Sequence, residues 1–168
     1  AHNLWGWLSG GLVLGLSSIA RPTVLIFLPF LLVWTWLRHP RLFPKYGALV
    51  LGGVALFVAP VTVRNYVVGR DLVLIASQGG VNFHLGNNPQ ADGASAIFPG
   101  LGDDWDEVSF AERDVGKNLK PSEVSRYYYK KGVQFLKERP GSFLKLLAKK
   151  AYLFVNGYEI SNNQYIYQ

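Results

Sequence analysis

The sequence predicts a mainly α, polytopic membrane protein fragment: about three transmembrane helices, then an extracytoplasmic loop region with two further helices. Three observations carry that expectation. All eleven acidic residues lie at or after Asp71, whereas residues 1–70 hold as Lys or Arg only Arg21, Arg38, Arg41, Lys45, Arg64 and Arg70. Three apolar runs, at about 4–20, 22–38 and 46–63, fill that front part. A dense basic connector over residues 38–45, RHPRLFPK, separates the second run from the third. The predicted organisation is therefore a membrane part at 1–63, an extracytoplasmic loop at 64–120, and a soluble helix with an interfacial amphipathic helix and tail at 121–168.

The first run intersperses Gly6, Gly10, Gly11 and Gly15 with Leu, Val and Trp. In a water-soluble helix each glycine costs about 1 kcal/mol, but between membrane helices small residues let backbones approach closely. Pro22, a favoured first helical residue, breaks the apolar stretch into two helices. Each run is a little shorter than the roughly 20 residues that span a bilayer core. Trp5, Trp7, Trp34, Trp36 and Tyr46 near the ends, with Arg38 and Lys45 snorkelling, extend them to the interfaces. None has an evident amphipathic face, whereas a surface helix of a soluble protein keeps a polar stripe.

The positive-inside rule places residues 38–45 on the cytoplasmic side, which sends Arg21 and Arg64 to the outer boundary. An arginine there suits a phosphate, because its planar fork donates two parallel hydrogen bonds; the competing reading is headgroup snorkelling.

Beyond Arg64 and Asn65, Val67 to Ile75 reads as a short β-hairpin or extended segment about a Gly-Arg-Asp turn. Residues 77–89 then read as a polar loop, with Gly79 and Gly80 permitting positive φ and Asn87-Asn88-Pro89 favouring a turn. The amides of Gln78, Asn82, Asn87 and Asn88 match sugar hydroxyls or a pyrophosphate edge. His84 has no second histidine or carboxylate at ligand spacing, so it reads as a structural or substrate-contact residue rather than a metal ligand. Asp103, Asp104, Asp106 and Glu107 lack the order of a calcium loop and read as a solvated face or helix start. Residues 121–138 form a helix, with Pro121 and Glu123 at its start, a packing face of Tyr127, Tyr128, Tyr129, Val133, Phe135 and Leu136, and Pro140-Gly141 as its stop. Ser142 caps an interfacial amphipathic helix over 143–155, with Lys145, Lys149 and Lys150 opposed to Leu and Phe.

Composition excludes several classes. Hydrophobic residues make up 49% of the chain, against disorder, and the absence of cysteine removes disulfide frameworks and thiolate metal sites. The net charge of +6 raises nucleic acid as a partner, but the cations are not interleaved with aromatics into a binding motif, so none is expected. A start in an apolar run, without Met or a basic leader segment, leads to the expectation of a piece of a longer protein.

The stretches GLVLGLSSIARPTVLIFLPFLLVW, APVTVRNYVVGRDLVLIASQGGVNFHLGNNPQADG and FLKERPGSFLKLLAKKAYLFVNGYEI, in that order, resemble integral-membrane glycosyltransferases of the GT-C superfamily. The likeness is to the dolichyl-phosphate-mannose-protein mannosyltransferase and aminoarabinose transferase group. Its most specific elements are Arg64-Asn65, Gly79-Gly80-x-Asn82 and Gly86-Asn87-Asn88-Pro89. The resemblance implies a bacterial inner-membrane enzyme, residues 64–168 mostly extracytoplasmic, that takes a sugar from a polyprenyl-phosphate-linked donor to an acceptor with inversion. Its implied partners are the lipid-linked sugar donor and membrane lipids. The family's catalytic aspartate, a general base or metal-associated carboxylate, lies in a loop upstream of this sequence. The resemblance thus implies a fragment inactive alone and without a cofactor, any divalent metal belonging to the intact enzyme. Arg64 and Arg21 become candidates for the leaving phosphate, and Asn65, Gln78, Asn82, His84, Asn87 and Asn88 for the sugar or acceptor pocket. The alternatives are a non-enzymatic membrane module and a transporter fragment that binds lipid-linked sugar phosphates.

Overall fold

A computed structural model describes residues 4–100 and 106–156. The chain is mainly helical and divides into two compact units, Ala1–Ala76 and Ser77–Gln168. No strand occurs among the described residues.

The first unit holds α1 (Leu4–Ala20), a 3-10 turn (Pro22–Ile26), α2 (Phe27–Arg38) and α3 (Phe43–Gly69). Its organising contact is α1 against α3, in parallel. Trp7 stacks on Tyr46 at 4.7 Å, Gly11 lies on the backbone of Val50, and Gly15 on that of Val54. Gly53 returns the contact, a Cβ there falling 2.6 Å from the Leu12 nitrogen. The glycines of α1 thus mark a close backbone approach, as their spacing suggests. Two polar side chains buried in this unit bond locally: Ser18 Oγ donates to Gly15 O at 2.7 Å and Thr35 Oγ1 to Leu31 O at 2.6 Å. At the connector end Trp7 also meets Trp34 and His39, both with centroids 5.9 Å away.

Among the described residues one helix, α3, is long and apolar enough to cross a membrane; α1 and Pro22–Arg38 are shorter apolar helices. Its 27 residues span about 40 Å. It is longer at both ends than the expected 46–63. Pro44 sits in its first turn, where the missing N–H costs nothing, and Arg64-Asn65-Tyr66 contains no residue that stops a helix. Pro60 lies inside it. The expected hairpin from Val67 is replaced by helix up to Gly69, and Arg70, at φ 50°, ends it in the left-handed conformation. The following segment folds back along α3. Thr62 Oγ1 donates to Leu74 O at 2.6 Å, and Asn65 Nδ2 to Val73 O and Ile75 O at 3.0 and 3.2 Å.

The second unit contains α4 (Gly79–Gly86), α5 (Glu107–Val115), α6 (Pro121–Glu138) and α7 (Pro140–Val155). Its described residues form four helices where two were expected, because α4 and α5 arise in the region read as loop. Neither Gly79 nor Gly80 has positive φ. Gly80 is required instead by proximity, since a Cβ there would occupy the position of the Ser125 carbonyl. Its amide donates to Ser125 Oγ at 2.9 Å. Asp106 caps α5 by accepting from Ser109 N at 2.9 Å, which realises the helix-start reading of the acidic stretch. Asp103 and Asp104 lie outside the described residues, as does the tail beyond Asn156.

Helix α6 has the expected bounds, and Glu123 reaches back to Lys120 N at 2.9 Å, half of a capping box. Its buried residues are Val124, Tyr128, Gly132 and Phe135; Tyr129 is half exposed and packs on Phe83 at its edge. A core of Ala111, Val124 and Tyr128, with Val81, Phe98 and Phe110 against it, joins α4, α5 and α6. Helix α7 starts at Pro140 rather than after Ser142. Arg139 is its boundary residue, because Pro140 is preset for the first helical position.

If the α1–α3 approach holds the first unit together, Gly11→Ala drives a methyl into the Val50 backbone. It should cost about 1–3 kcal/mol in a detergent-unfolding titration. Gly10→Ala, with open space around it, should be neutral or gain up to about 1 kcal/mol in the same titration.

Candidate functional site

The eight residues singled out in the sequence fall into two groups, one on each unit. Arg21 and Arg64 belong to the first. The α1–α3 register that pairs Trp7 with Tyr46, Gly11 with Val50 and Gly15 with Val54 continues to bring Arg21 level with Pro60. Arg64 is one helical turn further along α3. Both arginines are exposed and share the end of the unit opposite residues 38–45, where Arg38, Arg41 and Lys45 are also exposed. Arg21 breaks the helical path with extended backbone at φ −145°, so its side chain leaves from a corner between α1 and the following turn. Asn65, one residue on from Arg64, has its side-chain nitrogen engaged by Val73 O and Ile75 O. Asp71, the first acid of the chain, is buried just beyond α3, a position that charge distribution marked as a boundary but not as a site.

The second group shares one short helix. Gln78 precedes α4, Asn82 and His84 lie on it, and Asn87 and Asn88 follow it. Gln78 and Asn82 are exposed. Gln78 lines a cleft of about 190 Å³ with Ser77, Val81, Glu107, Leu119 and Val124, where α4, α5 and α6 begin. The other three are drawn inward. Asn88 is 1% exposed, and its amide nitrogen donates to His84 O and Leu85 O, both at 3.1 Å, and to Ile97 O at 3.0 Å. Its Oδ1 accepts from Gln90 N at 2.8 Å, so the expected turn forms and the side chain ties it to the loop beyond. Asn87 Nδ2 donates to Phe83 O at 2.8 Å. Asn87 and Asn88 therefore close the C-terminal end of α4.

Sequence reasoning did not find their companion, Lys150. From α7 its Nζ donates to Gly86 O at 2.6 Å and to Asn87 Oδ1 at 3.2 Å. A cation at a helix C-terminus is favoured by the backbone dipoles. Burial lowers the pKa of Lys150.

His84 is buried too, its ring 5.6 Å from Tyr128 in a stack and 5.7 Å from Phe98 edge-on. Burial, and secondarily the charge of Lys131, push its pKa below the ordinary 6.5, so the imidazole is neutral at pH 7. Nδ1 is buried without a hydrogen-bond partner. No group of three metal-ligating side chains occurs among the described residues. A stacked imidazole among aromatic rings is a packing arrangement, in keeping with the structural alternative for this histidine. Tyr128 beside it donates its hydroxyl to Glu107 O at 2.7 Å, and burial, foremost, raises its pKa.

Comparison with family models, curated proteins and solved structures finds no match for this chain. The functional reading accordingly stands on residues and geometry.

The buried imidazole makes stability pH-dependent with a definite sign. Above about pH 6.5 His84 is neutral in folded and unfolded chains alike. Below that, the unfolded chain takes up the proton first, because the folded pKa is depressed, and stability falls with pH. The unfolding midpoint of the chain should drop between pH 7.5 and 5.5, and His84→Phe should flatten that part of the profile. Replacing Asn88 by Ala leaves buried carbonyls without donors and should cost about 1–3 kcal/mol at any pH, read by chemical denaturation.

Proposed function

We propose that this chain is part of a membrane glycosyltransferase that moves a sugar from a polyprenyl-phosphate-linked donor to an acceptor at the extracytoplasmic face. One observation carries the reading. Arg21 and Arg64 emerge at the same end of an apolar, parallel helix pair, and the basic connector emerges at the other. By the positive-inside rule the connector is cytoplasmic, so the two guanidiniums stand at the outer membrane boundary, where a lipid phosphate lies. Supporting it, large apolar side chains cover the outside of the first unit, among them Phe27, Phe30, Val33, Leu37, Leu56 and Val63. Contiguous exposed apolar surface of that kind suits lipid or further membrane helices.

The chemistry asks two things of such residues. As the glycosyl–phosphate bond breaks, negative charge gathers on the leaving phosphate, and guanidiniums already in place stabilise it without reorganisation. Arg64 is assigned that role, with Arg21 beside it at the same boundary. The cleft beside Gln78, with exposed Asn82 on the same helix, offers amide donors and acceptors for sugar or acceptor hydroxyls.

In the intact enzyme, assayed in membranes at saturating donor, Arg64→Ala should lower turnover by about 100-fold or more, the scale for loss of one transition-state donor. Arg64→Lys should retain more activity but not all, since an ammonium keeps the charge and loses the fork. Donor binding is measured alongside. A loss confined to binding points to a lipid-phosphate carrier without chemistry, and wild-type turnover in both variants removes Arg64 from the reaction.

A further inference from the structure

Helix α7 presents three faces. Phe143, Leu146 and Leu153 turn towards the second unit, Leu146 being buried, and Lys150 joins them by reaching Gly86 O and Asn87 Oδ1. That face contains the third lysine of what the sequence presents as a basic side. The neighbouring flank, about 100° round the helix, carries Leu144, Leu147, Ala151 and Phe154, at intervals of three and four residues, so they form one stripe. All four are exposed; Leu144 is 61% and Phe154 90% accessible. The side of the helix away from the stripe carries Tyr152, Lys145 and Lys149, also exposed. No acid occurs between residues 140 and 155. Asp92, whose carboxylate accepts from Ala94 N and Ser95 N, feels the charge of Lys149 and offsets part of it.

We propose that α7 lies in the plane of an anionic phospholipid surface, with the Leu144, Leu147, Ala151 and Phe154 stripe among the acyl chains and Lys145 and Lys149 on the opposite, headgroup side. Three points favour lipid as the occupant. An apolar stripe opposed to a face of tyrosine and lysine without acids has the charge pattern of an interfacial helix. At 16 residues α7 is too short to span a bilayer and suits its surface. The same chain contains α3, long and apolar enough to cross, and residues 70–76 link its end to the second unit. Lys150, by bonding inward, fixes the roll of α7 about its own axis and so decides which side faces out. The inference does not depend on glycosyl transfer; a carrier or a binding module would use the same helix.

The natural chain has no cysteine, so single-cysteine variants report one position each. Leu147→Cys, Ala151→Cys and Lys149→Cys, each in the full chain reconstituted into vesicles of phosphatidylcholine with phosphatidylglycerol, are spin-labelled. Collision with oxygen, which enters lipid, is then compared with collision with a water-soluble nickel chelate. The expected result is a several-fold higher oxygen-to-nickel ratio at positions 147 and 151 than at 149. The difference should shrink when phosphatidylglycerol is omitted or when Lys145→Gln and Lys149→Gln are combined in the Leu147→Cys background. Equal nickel access at all three positions overturns the proposal. So does a protected stripe indifferent to lipid charge and to both lysines, or dipolar broadening between labels, which would show a second copy of the chain covering the stripe. Unaltered far-ultraviolet circular dichroism of each variant establishes that the helix is intact before the comparison is made.

Discussion

The contact on which the first unit depends is backbone against backbone, made possible by the absence of side chains at Gly11, Gly15 and Gly53. Between apolar surfaces in lipid, burial from water contributes little, and close packing has to supply the attraction instead. Removing Cβ atoms at three facing positions does that, and it also fixes how far one helix is slid along the other. That register, anchored at one end by the Trp7–Tyr46 stack, decides which charged residues share an end. Arg21 and Arg64 are distant in sequence, and become neighbours in height through glycines that touch neither of them.

The second unit solves a different problem with polar side chains. Helix α4 is short and opens on two glycines, so its own backbone bonds hold it weakly. It is secured from outside, by Ser125 at one end and by Asn87, Asn88 and Lys150 at the other. Gly132 leaves space on α6 that Phe83 fills, while His84 lies on Tyr128. Amides that look available for a sugar in a linear reading are thus largely engaged in closing a helix. Those left at the surface, Gln78 and Asn82, are at its beginning and middle.

What could be read from the sequence follows from how local each cause is. Helix α6 was legible to its bounds because Pro121, Glu123 and Pro140-Gly141 act within a turn of where they stand. The helical class of the front half and the meaning of the α1 glycines were legible for the same reason. The extension of α3 was missed because Arg64-Asn65-Tyr66 signals polarity, and polarity is not a stop. Helix α4 was hidden because Gly79 and Gly80 read as flexible, whereas Gly80 answers to the Ser125 carbonyl. Helix α5 did carry local marks, Asp106 as cap and Gly116 at φ 76° as terminator, overshadowed by the density of acids around it. Lys150 was assigned to the wrong side of its helix, since its partners, Gly86 and Asn87, lie far away in sequence. Of the front helices α3 is long and apolar enough to cross a membrane, while α1 and α2 are apolar but shorter.

Pro60 gives α3 a property that its length conceals. A proline has no N–H, so the carbonyl one turn earlier, at Leu56, loses its helical donor, and the ring crowds it. The helix therefore has a joint between the part held by the glycine contact and the part that carries Thr62, Arg64 and Asn65. Bending there is resisted by one backbone bond fewer than in an unbroken helix. A side chain mounted beyond that joint, as Arg64 is, can shift without disturbing the contacts of Gly11, Gly15 and Gly53.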